Sequence, residues 1–151
     1  MRSDEWLNKK LEEVWQVLMP DVERLNKVSV VFKGNWKTKF GHIKKLKDGS
    51  TQIVVNGLFR NEVVPDYIVL TTIAHELIHY MHGFHSPHPK QFRYPHQGGV
   101  VDKEMKARGF GLLLKLEKDW VKNNWVEVIS SLKGNAYASY TQDNSRRLFC
   151  F

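Results

Sequence analysis

Apolar residues recur at helical spacing from about Asp4 to Met19. Trp6-Leu7, Leu11, Val14-Trp15 and Leu18 share one face, with Lys9, Lys10, Glu12 and Glu13 on the other. Pro20 then breaks or bends that helix. The period shortens at Val28-Ser29-Val30-Val31-Phe32, a β-branched run bounded by Lys33-Gly34-Asn35 that reads as a strand and turn. Two more strands follow, about Lys39–Leu46 and Thr51–Asn56, with Asp48-Gly49-Ser50 between them as a hairpin turn. Helical spacing returns at Pro65-Asp66, where proline suits the first turn and the acid faces the positive end of the helix dipole. Tyr67, Leu70, Ile73-Ala74, Leu77-Ile78 and Met81 carry that helix to a stop near Gly83. From Phe84 to Gly99 there are three prolines, two glycines and no apolar period, which predicts a loop. A short helix over about Val100–Arg108 and a longer one over about Leu112–Leu132 complete the pattern, before a polar tail from Asn135 to Phe151.

The order of elements predicts an α+β domain over residues 1–134 with a C-terminal tail over 135–151. At 151 residues, 42% of them hydrophobic, the chain can bury a core without disulfides. The charged N-terminus, Met1-Arg2-Ser3-Asp4-Glu5, lacks an apolar stretch of the secretory kind, and no run reaches about 18 apolar residues. The expectation is a soluble, intracellular protein with no membrane partner. The single cysteine, Cys150, excludes an internal disulfide and a four-cysteine zinc ribbon. A formal charge of +7 favours polyanionic partners without naming one.

The chemistry concentrates in His75-Glu76-Leu77-Ile78-His79, an H-E-x-x-H pattern inside a segment already predicted helical. Residues four apart project from one helix face, so both imidazoles reach one zinc ion at about 2.0–2.1 Å. Glu76 then stands close enough to act as general base on water polarised by the metal. Catalytic zinc takes three protein ligands, and six of the seven histidines lie between residues 75 and 96. His85, at metzincin spacing, Glu104, on the following helix, and His96, at the end of the loop, are the candidates for the third. His42, His82 and His88 read as surface or supporting residues, and Tyr80 and Tyr94 as packed or surface tyrosines with a lesser claim to stabilising an oxyanion. Asp102 and Glu104 read as solvated helix acids, either of which could orient a ligand imidazole.

The leading helix, the strands with Phe40-Gly41 and Gln52-Ile53-Val54-Val55-Asn56, and His75-Glu76-Leu77-Ile78-His79 resemble the SprT-like (Spartan-type) zinc metalloproteases. So does His96-Gln97-Gly98-Gly99 running into Val100–Met105. The resemblance covers about residues 4 to 110. It implies a zincin-like fold with a small antiparallel-rich sheet beside the active-site helix, His96 as third ligand beside His75 and His79, and Glu76 as catalytic base. It also implies an endopeptidase acting on DNA-associated or DNA-crosslinked proteins. The alternatives are a DNA-binding module whose zinc is structural or idle, and another zinc hydrolase.

Between Lys33 and Lys47 there are six lysines and no acid, with Trp36 and Phe40 among them. Lys33, Lys37, Lys39, Lys44, Lys45 and Lys47 can neutralise phosphates while an aromatic ring such as Trp36 stacks on a base, which suits single-stranded DNA. The same pattern also describes a solvated hairpin protected by lysine, its rings facing the core.

Overall fold

The computed structural model describes residues 1–134; the tail over 135–151, with Cys150, lies outside the described residues. The first helix, α1 (Asp4–Leu18), is capped by Ser3, whose hydroxyl accepts from the Trp6 amide, and it buries Leu7, Leu11, Val14, Trp15 and Leu18. Strands β1 (Val28–Lys33), β2 (Gly41–Lys45) and β3 (Thr51–Asn56) follow, then a 3₁₀ turn over Gly57–Arg60. Helix α2 (Asp66–Met81) leads through an irregular segment to α3 (Val100–Ala107) and α4 (Gly111–Lys133). Among the described residues no helix is long and apolar enough to cross a membrane.

The sheet corrects the antiparallel-rich expectation: its order is β1-β3-β2, with β3 antiparallel to β2 but parallel to β1. The cause lies in residues 34–40. A tight turn there would have laid β2 beside β1; instead the segment crosses the end of β3, leaving room for β3 between them. Asn56, at the end of β3, donates from Nδ2 to the carbonyls of Trp36 (2.7 Å) and Lys39 (2.9 Å), and Trp125 Nε1 donates to the Lys37 carbonyl (2.8 Å). The lysine-rich stretch is therefore a pinned crossover followed by an edge strand. The hairpin turn is at Asp48–Ser50, where Asp48 accepts from the Ser50 amide.

Helix α2 is buried on every side from Thr71 to Met81, as expected of a helix packed into the core rather than on its surface. It touches α1, the sheet, α3 and α4. Its start is fixed by Arg2, a buried guanidinium that donates to the carbonyls of Phe59 and Val64 and to the Asp66 carboxylate. At its end Gly83 turns left-handed (φ 87°), with the Phe84 amide donating to the His79 carbonyl. A Cβ on Gly83 would collide with the Pro89 carbonyl oxygen, so only glycine lets the following loop fold back there. An aromatic cluster, Phe40, Phe59 and Trp125, packs edge to face with centroids 5.1–5.7 Å apart.

Candidate metal centre

His75 and His79 lie one turn apart on α2, both buried, and the loop after α2 brings His96 to them. That loop is held along its length. Ser86 Oγ donates to the Tyr80 carbonyl, Thr51 Oγ1 to the His85 carbonyl, and Gln91 donates from Nε2 to the Met81 carbonyl and from its amide to His82. Gln97 Oε1 then accepts from the Arg93 and Tyr94 amides, folding the turn that presents His96.

The three Nε2 atoms form a nearly equilateral triangle: 3.1 Å from His75 to His96, 3.1 Å from His75 to His79 and 3.2 Å from His79 to His96. A tetrahedral ion with bonds of about 2.0–2.1 Å would need ligand separations of about 3.3 Å, so the triangle fits one face of such a site. Three nitrogens converging on one point cannot all be satisfied by protons shared among themselves. Burial also keeps the imidazoles unprotonated, the form that binds metal. His75 lies well below the ordinary histidine value and His79 is pushed down to about 3, in both cases by desolvation first and by the neighbouring histidines second. The group can hold a metal ion, and His96, exposed, leaves it open to solvent on one side.

The other candidates for the third position are engaged elsewhere. Glu104 bridges His82 Nε2 and Arg108 Nε, each at 3.4 Å. His85 is exposed with a positive φ of 55° and stays outside the triangle. Of the histidines read as surface or supporting, His82 is buried against Phe92 instead, and His88 caps the Glu23 carbonyl (2.7 Å). Tyr80 is fully buried, its hydroxyl donating to Asn26, and Tyr94 is exposed. Asp102 pairs with Lys118 at 3.1 Å.

Glu76 is 1% exposed, and neither carboxylate oxygen has a hydrogen-bond partner among the described residues. Leaving a buried acid bare costs roughly 1–3 kcal/mol or more, an expense that packing alone does not explain. Burial pushes Glu76 up to about 8, opposed by the charge of Lys39. Gly41 on β2 lies beside it. A Cβ there would lie 2.7 Å from the Val54 carbonyl oxygen and 2.8 Å from Thr72 Cγ2, so only glycine allows β2 and α2 to approach this closely.

Two cavities flank the triangle. One, of about 230 Å³, is lined by His42, Ile43, Glu76, His79, His85 and His96. The other, of about 350 Å³, lies toward α3 and α4, and its walls include His75, His96, Met105, Leu114 and Glu117. Glu117, 3% exposed and pushed up to about 8 chiefly by burial, escaped the sequence reading. The signal was present: Leu114, Glu117, Val121, Trp125 and Ile129 form the buried stripe of α4, and an acid stands in it where an apolar residue is normal.

The lysine-rich stretch divides. Lys33, Lys45 and Lys47 are exposed, while Lys37, Lys39 and Lys44 are half-buried. The half-buried Trp36 ring lies 5.6 Å from His42, with Lys39 Nζ 4.7 Å above it. Phe40 is fully buried and cannot stack on a base, which removes one of the two rings considered for DNA. In comparisons with protein-family models, curated proteins and solved structures, no match was found.

Proposed function

We propose that this chain is a zinc-dependent endopeptidase of the SprT-like kind, with a zincin-like fold. His75, His79 and His96 hold the ion and Glu76 is the general base. The observation that carries this reading is a buried, bare carboxylate one residue from the first of three converging imidazoles. Zinc bound there would polarise both a water molecule and the scissile carbonyl. Glu76 takes a proton from the attacking water and returns it to the leaving amide nitrogen, two transfers that suit an acid whose proton affinity lies near neutrality. Lys39 favours the Glu76 carboxylate needed for the first transfer, and a metal ion held by His75, His79 and His96 would act in the same direction.

The free edge of β2 runs beside this site, and an extended substrate adding to it would pass its backbone over the metal. DNA-associated or DNA-crosslinked proteins are the substrate class, with the basic residues of the crossover and β2 as the recruiting surface. Glu76→Gln tests the assignment: zinc content stays at the wild-type level while peptide hydrolysis is lost. Hydrolysis at the wild-type rate by a zinc-loaded Glu76→Gln protein would point instead to another zinc hydrolase or a co-purifying peptidase, and no hydrolysis by the zinc-loaded wild type to a DNA-binding module with an idle metal.

A further inference from the structure

The cavity toward α3 and α4 shares His75 and His96 with the metal centre, yet the hydrolytic chemistry uses none of its other walls. Val101, Met105 and Leu114, each no more than 5% exposed, give it apolar sides. Its polar groups are Thr71, Asp102, Glu117 and Lys118. Lys118 Nζ is held by Asp102 Oδ2 at 3.1 Å, so those two charges answer each other. Glu117 is left over. It lies within hydrogen-bonding reach of Thr71, and its Oε1 has no partner among the described residues.

We propose that this cavity is a specificity pocket for a lysine or arginine side chain of the peptide substrate, with Glu117 as acceptor for the cationic head. The proposal rests on the peptidase reading above. An aliphatic stem matches the apolar walls, and a cationic head supplies the donors that Glu117 lacks. A cation beside Glu117 favours its carboxylate over the protonated form, whereas an acidic side chain brings no positive charge to it. A purely aliphatic one would fill the slot while sealing a carboxyl with nothing to bond, the situation that most strongly penalises the wrong ligand.

The test uses the full chain, zinc-loaded and carrying Glu76→Gln so that peptides bind without being cut. Fluorescein-labelled peptides with one lysine moved stepwise through an alanine–glycine background are compared by anisotropy with the same peptides carrying norleucine. At one position lysine binds about tenfold or more tighter than norleucine, the range of a hydrogen bond to a charged group. Adding Glu117→Gln removes that preference. Equal binding of lysine and norleucine at every position overturns the proposal, and that comparison needs no change at Glu117. A preference that persists in a folded Glu117→Gln protein overturns it as well. Cleavage of the same peptides by the wild-type chain is read separately. Lysine preference in binding without any cleavage keeps the pocket and removes the peptidase; cleavage without lysine preference does the reverse.

Discussion

The Nε2 atoms of His75 and His96, 21 residues apart along the chain, stand 3.1 Å from one another. One comes from the middle of a buried helix and the other from the exposed end of a loop, so the candidate metal centre depends on the loop's path as much as on the helix.

The first prediction concerns that dependence. His96→Ala should weaken zinc binding by more than about 100-fold, since losing even a supporting partner of a ligand costs 10–100-fold. His85→Ala should leave affinity near wild type, because His85 lies outside the triangle. Competition with a zinc chelator measures both. The reverse ranking would favour a metzincin-like ligand set.

A second prediction follows from the contact between β2 and α2. Gly41→Ala places a methyl 2.7 Å from the Val54 carbonyl oxygen and 2.8 Å from Thr72 Cγ2. Overpacking of this kind costs roughly 1–3 kcal/mol, to be read from urea unfolding. Hydrolysis should fall as well, since the strand and Glu76 are displaced together, while zinc stays bound by residues on α2 and the loop.

The third concerns pH. Glu117 has an ordinary value of 4.5 and is pushed up to about 8 in the fold. A raised acid favours the protonated folded state, so its contribution to stability is complete below about pH 4.5 and is lost as pH climbs through about 8. Glu117→Gln has no such titration. Melting temperatures across that window should fall for the wild type relative to the variant; parallel curves would contradict the assigned burial.

A fourth tests DNA recruitment. Lys39 lies over Trp36 and acts on Glu76, so the variant that spares the proposed active site changes Lys33, Lys44, Lys45 and Lys47 to Glu. Wild-type affinity for single-stranded DNA should fall with salt by a log-log slope of roughly 0.7 per phosphate contact, and the variant should lose most of both affinity and slope. Trp36→Ala should matter less, its ring being half-buried between Lys39 and His42. Equal affinities would reduce the lysines to a solvated face.

Much of this architecture was legible locally. Thr51–Asn56 reads as a strand because its β-branched run has no competing period, and α2 reads as a helix from its apolar spacing alone. What stayed hidden depends on distant contacts. The parallel pairing of β1 with β3 follows from the crossover pinned by Asn56 and Trp125, and nothing near residues 34–40 announces either partner. The approach of His96 was anticipated from a resemblance, but the hydrogen bonds of Ser86, Thr51 and Gln91 that steer the loop are contacts of the folded chain. Phe40 sat among lysines and suggested a stacking surface, whereas its neighbours in space are Phe59 and Trp125.

The central claim is that one zinc ion is held by three histidines drawn from α2 and the loop that follows it. Elemental analysis of the purified wild-type chain beside the His75→Ala, His79→Ala double variant tests it most directly. The account predicts one zinc per wild-type chain and none in the double variant, because a single remaining imidazole cannot hold the ion tightly. Full zinc occupancy in a folded double variant would contradict it.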